Sequence, residues 1–271
     1  MKSSPKTIQD ILIESPGPKT RRTITFITVI SLLALAVLVF FIIRQFYTTG
    51  QLSARYWSFF KKPTTWRFLA EGLAGTLAAS FVAGIITFVL GFAMMTGRIC
   101  RFKPLQVLSS CLIEFTRGVP TLLFIYFFFL VVPQFGIKLS PIWKISLPVA
   151  ISASGTVAES LRSGINAVPK GQREAALSLG LRDTAVFLRI ILPQGLRFVI
   201  PAMISEMIIV VKDTTFAYIV TYPDLMQNAR VLISNYDSIL SVFILVAVIY
   251  ILINFGLNKL ANLVRLKSRK A

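Results

Sequence analysis

The chain has 271 residues, 55% of them hydrophobic and 15% charged, with a mean hydropathy of +0.74. Soluble domains carry about 25% charged residues, so this composition excludes a disordered chain, a collagen and a coiled coil, and argues against a soluble domain. The formal charge of +18 comes from 29 Lys and Arg against 11 Asp and Glu. In so apolar a chain it points to membrane sidedness rather than to nucleic acid, and no nucleic-acid partner is expected.

Histidine is absent, which removes His-based acid–base chemistry, His-ligated metals and Ser-His-Asp triads. Cys100 and Cys111 form no CxxC and no zinc pattern, and read as packing residues. No catalytic residue, metal site or cofactor of this chain's own is expected.

Residues 1–23 are polar and contain proline, and are expected to be disordered or loosely surface-bound. Within them, Gly17-Pro18-Lys19-Thr20 lacks the first glycine of a phosphate loop and carries an interrupting proline. Six apolar spans follow, over Ile24–Ile43, Leu73–Met95, Val107–Val132, Ile145–Val168, Phe198–Val220 and Ile239–Val264. A bilayer core takes about 20 residues of helix, so the expected fold is an all-α polytopic membrane protein with about six transmembrane helices. The first span reads as retained, because no A-x-A site follows it at Arg44-Gln45-Phe46-Tyr47. The third is the least regular, interrupted by Glu114, Arg117, Gly118 and Pro120.

Basic residues crowd alternate loops. Seventeen fall before span one, after span two, after span four and in the tail, against seven in the other loops. That bias places both termini in the cytoplasm.

Small residues Gly75, Ala79 and Ala83, with Ser80 and Gly84 beside them, mark a close-packing face on span two. Its neighbour is either another helix of the chain or a second subunit. Glu114 and Arg117 stand i,i+3, as do Glu159 and Arg162. Such spacing suits self-neutralising pairs. Glu114–Arg117 reads as structural. Glu159, near the middle of span four after Ser154, reads equally as pathway lining and as the structural partner of Arg162. On span five, Glu206 and Asp213 share a face, and Lys212, Thr214 and Thr215 extend the polar patch. Pathway lining and structural pairing are again both open.

Between spans four and five, residues 169–197 form a long cytoplasmic segment. A helix over Glu174-Ala175-Ala176-Leu177 should stop at Gly180. Asp183 should cap a second helix, Thr184–Ile191, ended by Leu192-Pro193. Val186, Ile190 and Ile191 share its apolar side. On spacing alone this is either an amphipathic loop packed on its own bundle or a docking element. Residues 222–237 read as a short amphipathic segment at the outer surface.

The pattern of Glu174, Ala175 and Ala176, then Gly180, then Ile190, Leu192 and Pro193 resembles the coupling motif of ABC-importer permeases. Three further stretches resemble the polar amino acid branch, which handles histidine, glutamate, glutamine, arginine or opines, with glutamate permeases the nearest likeness. They are Glu114-Phe115-Thr116-Arg117-Gly118-Val119-Pro120, Glu159 to Ile165 running on to Glu174, and Leu192-Pro193-Gln194 through Pro201 to Phe216. Phe124, Ser205 and Gly195 depart from the usual glutamine, asparagine and alanine.

The resemblance covers about residues 70–265, a permease core with its coupling loop at 169–197. It leaves 1–23 as a cytoplasmic segment, 24–46 as an additional transmembrane helix and 266–271 as a cytoplasmic tail. It implies a permease subunit of an ATP-driven amino acid importer in a bacterial cell membrane, surrounded by lipid. Its implied partners are a dimer of ATP-binding subunits, a second permease subunit and an extracytoplasmic solute-binding protein. ATP and Mg would bind the partner ATPase, and this chain would not be an enzyme. The competing reading is a stand-alone secondary transporter or channel. Such carriers are often built from internal repeats, and none is visible.

Overall fold

The structure, a computed structural model, describes residues 17–270. Among the described residues there are helices and no strand. The chain divides into two units between Tyr56 and Trp57.

The first unit holds α1, Pro18–Thr48. Pro18 sits in the first turn, where the missing N–H costs nothing. The helix begins ahead of the expected span, so residues 18–23, expected to be disordered or loosely surface-bound, are helical. Residues 1–16 lie outside the described residues. None of its side chains is buried, the pattern of a helix that is apolar all round and faces lipid.

The second unit holds the remaining helices. α2 runs over Pro63–Ile99 and α3 over Lys103–Gly118. The helix then breaks, because the residue before a proline is pushed out of the α region. Val119 is extended at φ −94°, ψ 125°. α4, Thr121–Tyr126, resumes beyond Pro120 and continues in π and 3-10 turns to Phe135, bent 99° from α3. The irregular third span is thus a broken one.

α5, Pro141–Asn166, is the central helix. It packs on α2, α3, α4 and on α8, which spans Leu192–Asp213. Two short helices precede α8, namely α6, Lys170–Ser178, and α7, Asp183–Val186. A 3-10 turn, Thr214–Val220, follows it, then α9, Leu225–Tyr236, and α10, Ile239–Lys270.

Among the described residues, four helical stretches are long and apolar enough to cross a membrane: Pro18–Thr48, Pro63–Ile99, Asp183–Val220 and Ile239–Leu260. The bent pair makes a fifth. α5 answers to the fourth expected span. Its 26 residues reach about 39 Å, long enough to cross, but its sequence is more polar. Its neighbours are protein, so Ser146, Ser154 and Gly155 are buried on them rather than in lipid.

The core joins Ala79 and Ala83 of α2, Ile145, Val149 and Ala153 of α5, Val210 of α8 and Ala217 of the 3-10 turn. The small face of α2 therefore meets helices of its own chain. Where α5 crosses α8 the backbones touch. A Cβ on Gly164 would lie 2.5 Å from the Gly195 carbonyl oxygen, so only glycine lets the helices come this close. α9 lays Leu225, Ala229 and Leu232 against Phe59, Leu69 and Val242.

Candidate functional site

Three groups of residues stand out along the bundle. The first is the segment between α5 and α8. α6 closes through Gly180, which is left-handed at φ +79°. The Gly180 N–H bonds the Leu177 carbonyl at 2.9 Å, and the Leu181 N–H bonds that of Ala176 at 3.2 Å. These are the two bonds of a Schellman closure. Val168, Ala176, Val186 and Ile191 are buried together, with Ile165, Phe187 and Ile190 packed on them. This apolar contact fixes α6 and α7 to each other and to the end of α5.

Ala176 thus faces inward, Ile190 and Leu192 are half-buried, and Glu174, Ala175, Gly180 and Pro193 are exposed. Leu179, which the sequence did not single out, is 82% exposed, and Leu177 and Leu181 are exposed beside it. Three leucines within five residues around the helix stop at Gly180 were the available signal.

Two expectations are corrected here. Asp183 does not cap α7. The flanking residue is Arg182, and no side-chain cap bond forms. The Asp183 carboxylate is taken instead by Arg173, at 3.0 Å, and by Arg101. Nor does Leu192-Pro193 end the second helix. Phe187–Ile191 is a π turn in which the Leu192 N–H reaches back to the Phe187 carbonyl. The chain passes into α8 with Pro193 in its first turn, where a missing N–H is tolerated. Asp183–Val220 is one helical run from the segment that follows α6 into the bundle.

The second group joins half-buried residues of three elements. Thr121, the first residue of α4, donates to Asp213 at 2.9 Å and is 2.9 Å from Ser152 of α5. A threonine has one hydroxyl proton, so Ser152 donates to Thr121. Glu206 lies two turns before Asp213 on α8. Neither carboxylate pairs with a described basic residue, whereas Glu114 and Glu159 do. Lys212 is exposed. Thr214 is buried and bridges to Ser80 of α2 at 2.9 Å. Thr215 bonds the Lys212 carbonyl at 2.6 Å, and Ser154 is buried and bonds that of Ile151 at 2.6 Å. Sequence reading missed Thr121, whose only local signal is the preceding proline.

The third group is a charge cluster. Glu159 takes Arg162 at 2.6 Å and Arg98, from the end of α2, at 2.9 Å. Glu114 is 3.9 Å from Arg117 and 4.0 Å from Arg98. Arg98, in the last turn of α2, links the two acids. Glu159 therefore sits opposite the end of α2, two turns before α5 ends, not at mid-span.

Residues 88–270 match the family model described as binding-protein-dependent transport system inner membrane component. A probable glutamine ABC transporter permease protein of Bacillus subtilis is 33% identical over 198 residues, 72% of this chain and 91% of that one. A glutamate transport system permease protein of Corynebacterium glutamicum is 33% identical over 217 residues, 79% and 80% of the two chains. The crystal structure of an amino acid ABC transporter with histidines superposes with a TM-score of 0.72 at 28% identity, covering 77% of this chain and 98% of that one. The chain belongs to the family of binding-protein-dependent transport system inner membrane components, and is a transport subunit rather than an enzyme.

Proposed function

We propose that this chain is the permease subunit of an ATP-driven importer for amino acids, glutamate or another polar amino acid. It sits in a bacterial cell membrane with both termini in the cytoplasm. Two permease subunits, identical or homologous, form the pathway. Two ATP-binding subunits, which hold ATP and Mg, dock on residues 169–193. An extracytoplasmic solute-binding protein delivers the substrate. The substrate class follows the names borne by the relatives.

One observation carries this reading: the cytoplasmic element is both rigid and continuous with a membrane helix. Its apolar side is spent on α5, which leaves Glu174, Ala175 and the leucines around Gly180 for the ATP-binding subunit. Closure of the ATP-binding pair shifts α6 and α7 as a unit, and α8 carries that shift to Asp213 at its far end. Two global states, biased by the partners, give alternating access.

Among the residues expected along a pathway, we assign Asp213 and Glu206 to the substrate's ammonium group, because no described cation neutralises them. Lys212 and Thr215 lie on the same stretch. Glu159 and Thr214 hold helices together, and Ser154 bonds within α5. The domain boundaries proposed are 24–46 for the additional helix and 70–265 for the core.

The test is reconstitution with the ATP-binding and solute-binding partners in vesicles. Labelled glutamate is supplied, with glutamine, arginine and histidine as competitors. ATP-dependent uptake supports the reading. Uptake by this chain alone, without ATP, would replace it with a stand-alone carrier or channel.

A further inference from the structure

We propose that the cleft between the end of α2, the start of α3 and the end of α5 binds the headgroup of an anionic phospholipid. The cleft has a volume of about 580 Å³ and is lined by Arg98, Ile99, Gln106, Val107, Arg162 and Asn166.

The charge balance comes first. Three arginines (Arg98, Arg117 and Arg162) meet two carboxylates (Glu114 and Glu159), which leaves one positive charge over. Donor geometry comes second. A guanidinium carries five N–H groups. Glu159 engages Nη1 of Arg98, and Nε and Nη2 of Arg162. Nε and Nη2 of Arg98 and Nη1 of Arg162 have no acceptor among the described residues. A phosphodiester offers acceptor oxygens for both guanidinium groups at once. The Arg98 side chain is only 22% exposed, so salt screens its charge less than a surface charge.

The surroundings select a lipid over a free anion. Ile99 and Val107 line the cleft, exposed at 38% and 62%. Acyl chains would cover them, and a soluble phosphate or carboxylate would not. All three elements meet here at their ends, where apolar spans give way to polar loops. That is the headgroup level, and basic pockets between transmembrane helices at the cytoplasmic side suit anionic headgroups. Assignment to the cytoplasmic leaflet rests on the sidedness proposed above; binding itself does not, and can be measured in detergent.

The full chain, purified in neutral detergent, is given equal amounts of phosphatidylglycerol and phosphatidylcholine, and retained lipid is read by native mass spectrometry. We expect phosphatidylglycerol to be preferred about fivefold, the factor for one uncompensated basic group at an anionic surface. Gln106 is exposed, so both its variants should fold. Gln106→Glu puts a carboxylate in the cleft and should bring the preference to parity. Gln106→Lys should keep or raise it. Equal retention by the unaltered chain overturns the proposal whatever the variants do. So does an undiminished preference in Gln106→Glu. Displacement of phosphatidylglycerol by excess inorganic phosphate or glutamate assigns the cleft to a soluble anion and also overturns it.

Discussion

Arg173 Nη2 lies 3.0 Å from Asp183 Oδ1, and the other oxygen of the same carboxylate takes Arg101. One side chain thus ties α6 and α7 to the loop between α2 and α3. Exposed pairs contribute only about 0.2–1 kcal/mol each, so the tie matters more for transmitting motion than for stability. Asp183→Asn should leave thermal unfolding nearly unchanged and lower the amount of substrate moved per ATP hydrolysed. Parallel measurement of uptake and hydrolysis in vesicles decides this. An unchanged ratio rules out the tie as part of the coupling.

Gly180 combines a left-handed backbone with empty space beyond it. At φ +79°, a residue with a Cβ is strained, by about 1–2 kcal/mol. Yet nothing lies within 4 Å of where that Cβ would be. Gly180→Ala should therefore weaken transport moderately. Gly180→Trp adds bulk that clashes with nothing near its Cβ but blocks an incoming partner. It should abolish uptake and co-purification with the ATP-binding subunit while the protein remains in the membrane. If Gly180→Trp still co-purifies and still transports, the docking assignment is wrong.

The contrast between Gly180 and Asp183 shows what the sequence carries. The stop at Gly180 is local: the bonds that make it join residues three and five apart, so the pattern was legible. Asp183 ahead of an apolar turn reads as a cap, and the reading fails because Arg101 lies 82 residues away. Arg98 and Glu159 are separated by 61 residues, and Thr121 and Asp213 by 92. No helical period reports such pairs. Pro193 misled for another reason. A proline breaks a helix where its N–H is needed and its ring meets the preceding turn's carbonyl, and the preceding π turn lets Pro193 open α8 instead. The spans themselves were legible because apolar composition decides them, α5 included, although its interior position lets it be more polar than the others.

Glu159 and Asp213 should behave oppositely. Glu159 is held between Arg98 and Arg162, so Glu159→Gln leaves two half-buried arginines without their shared partner. The loss should appear as less inserted protein, with near-normal uptake per molecule. Adding Arg162→Gln should restore much of the protein level, since Arg98 keeps Glu114 within 4.0 Å. Asp213→Asn should do the reverse, with normal protein level and greatly reduced uptake per molecule. Quantitative immunoblots with initial uptake rates separate the two. Collapse of uptake per molecule in Glu159→Gln, at normal protein level, would return Glu159 to the pathway.

Asp224 begins α9, and its Oδ1 accepts the Gln227 N–H at 2.7 Å. The residue is fully buried, and Oδ2 has no partner among the described residues. Burial pushes the carboxyl up from 3.8 to about 6, against the opposing pull of backbone N–H groups. Tyr222, from the same loop, is the neighbouring titratable group, and burial raises its phenol further above its ordinary value, so it is neutral near pH 7. Because the folded value lies above the ordinary one, the folded state holds the proton more tightly than the unfolded chain. The stabilisation is complete below the ordinary value and is lost as pH rises through about 6, a total of about 3 kcal/mol. Asp224→Asn keeps an oxygen for the Gln227 N–H and cannot ionise. Unfolding midpoints in detergent are compared across about pH 4 to 8 for both proteins. The variant should gain on the parent steadily as pH rises, with most of the gain between about 4 and 6 and a plateau above. Taking the difference between the two proteins cancels the other titrating groups. A difference that does not change with pH would mean that Asp224 is ionised in the folded protein.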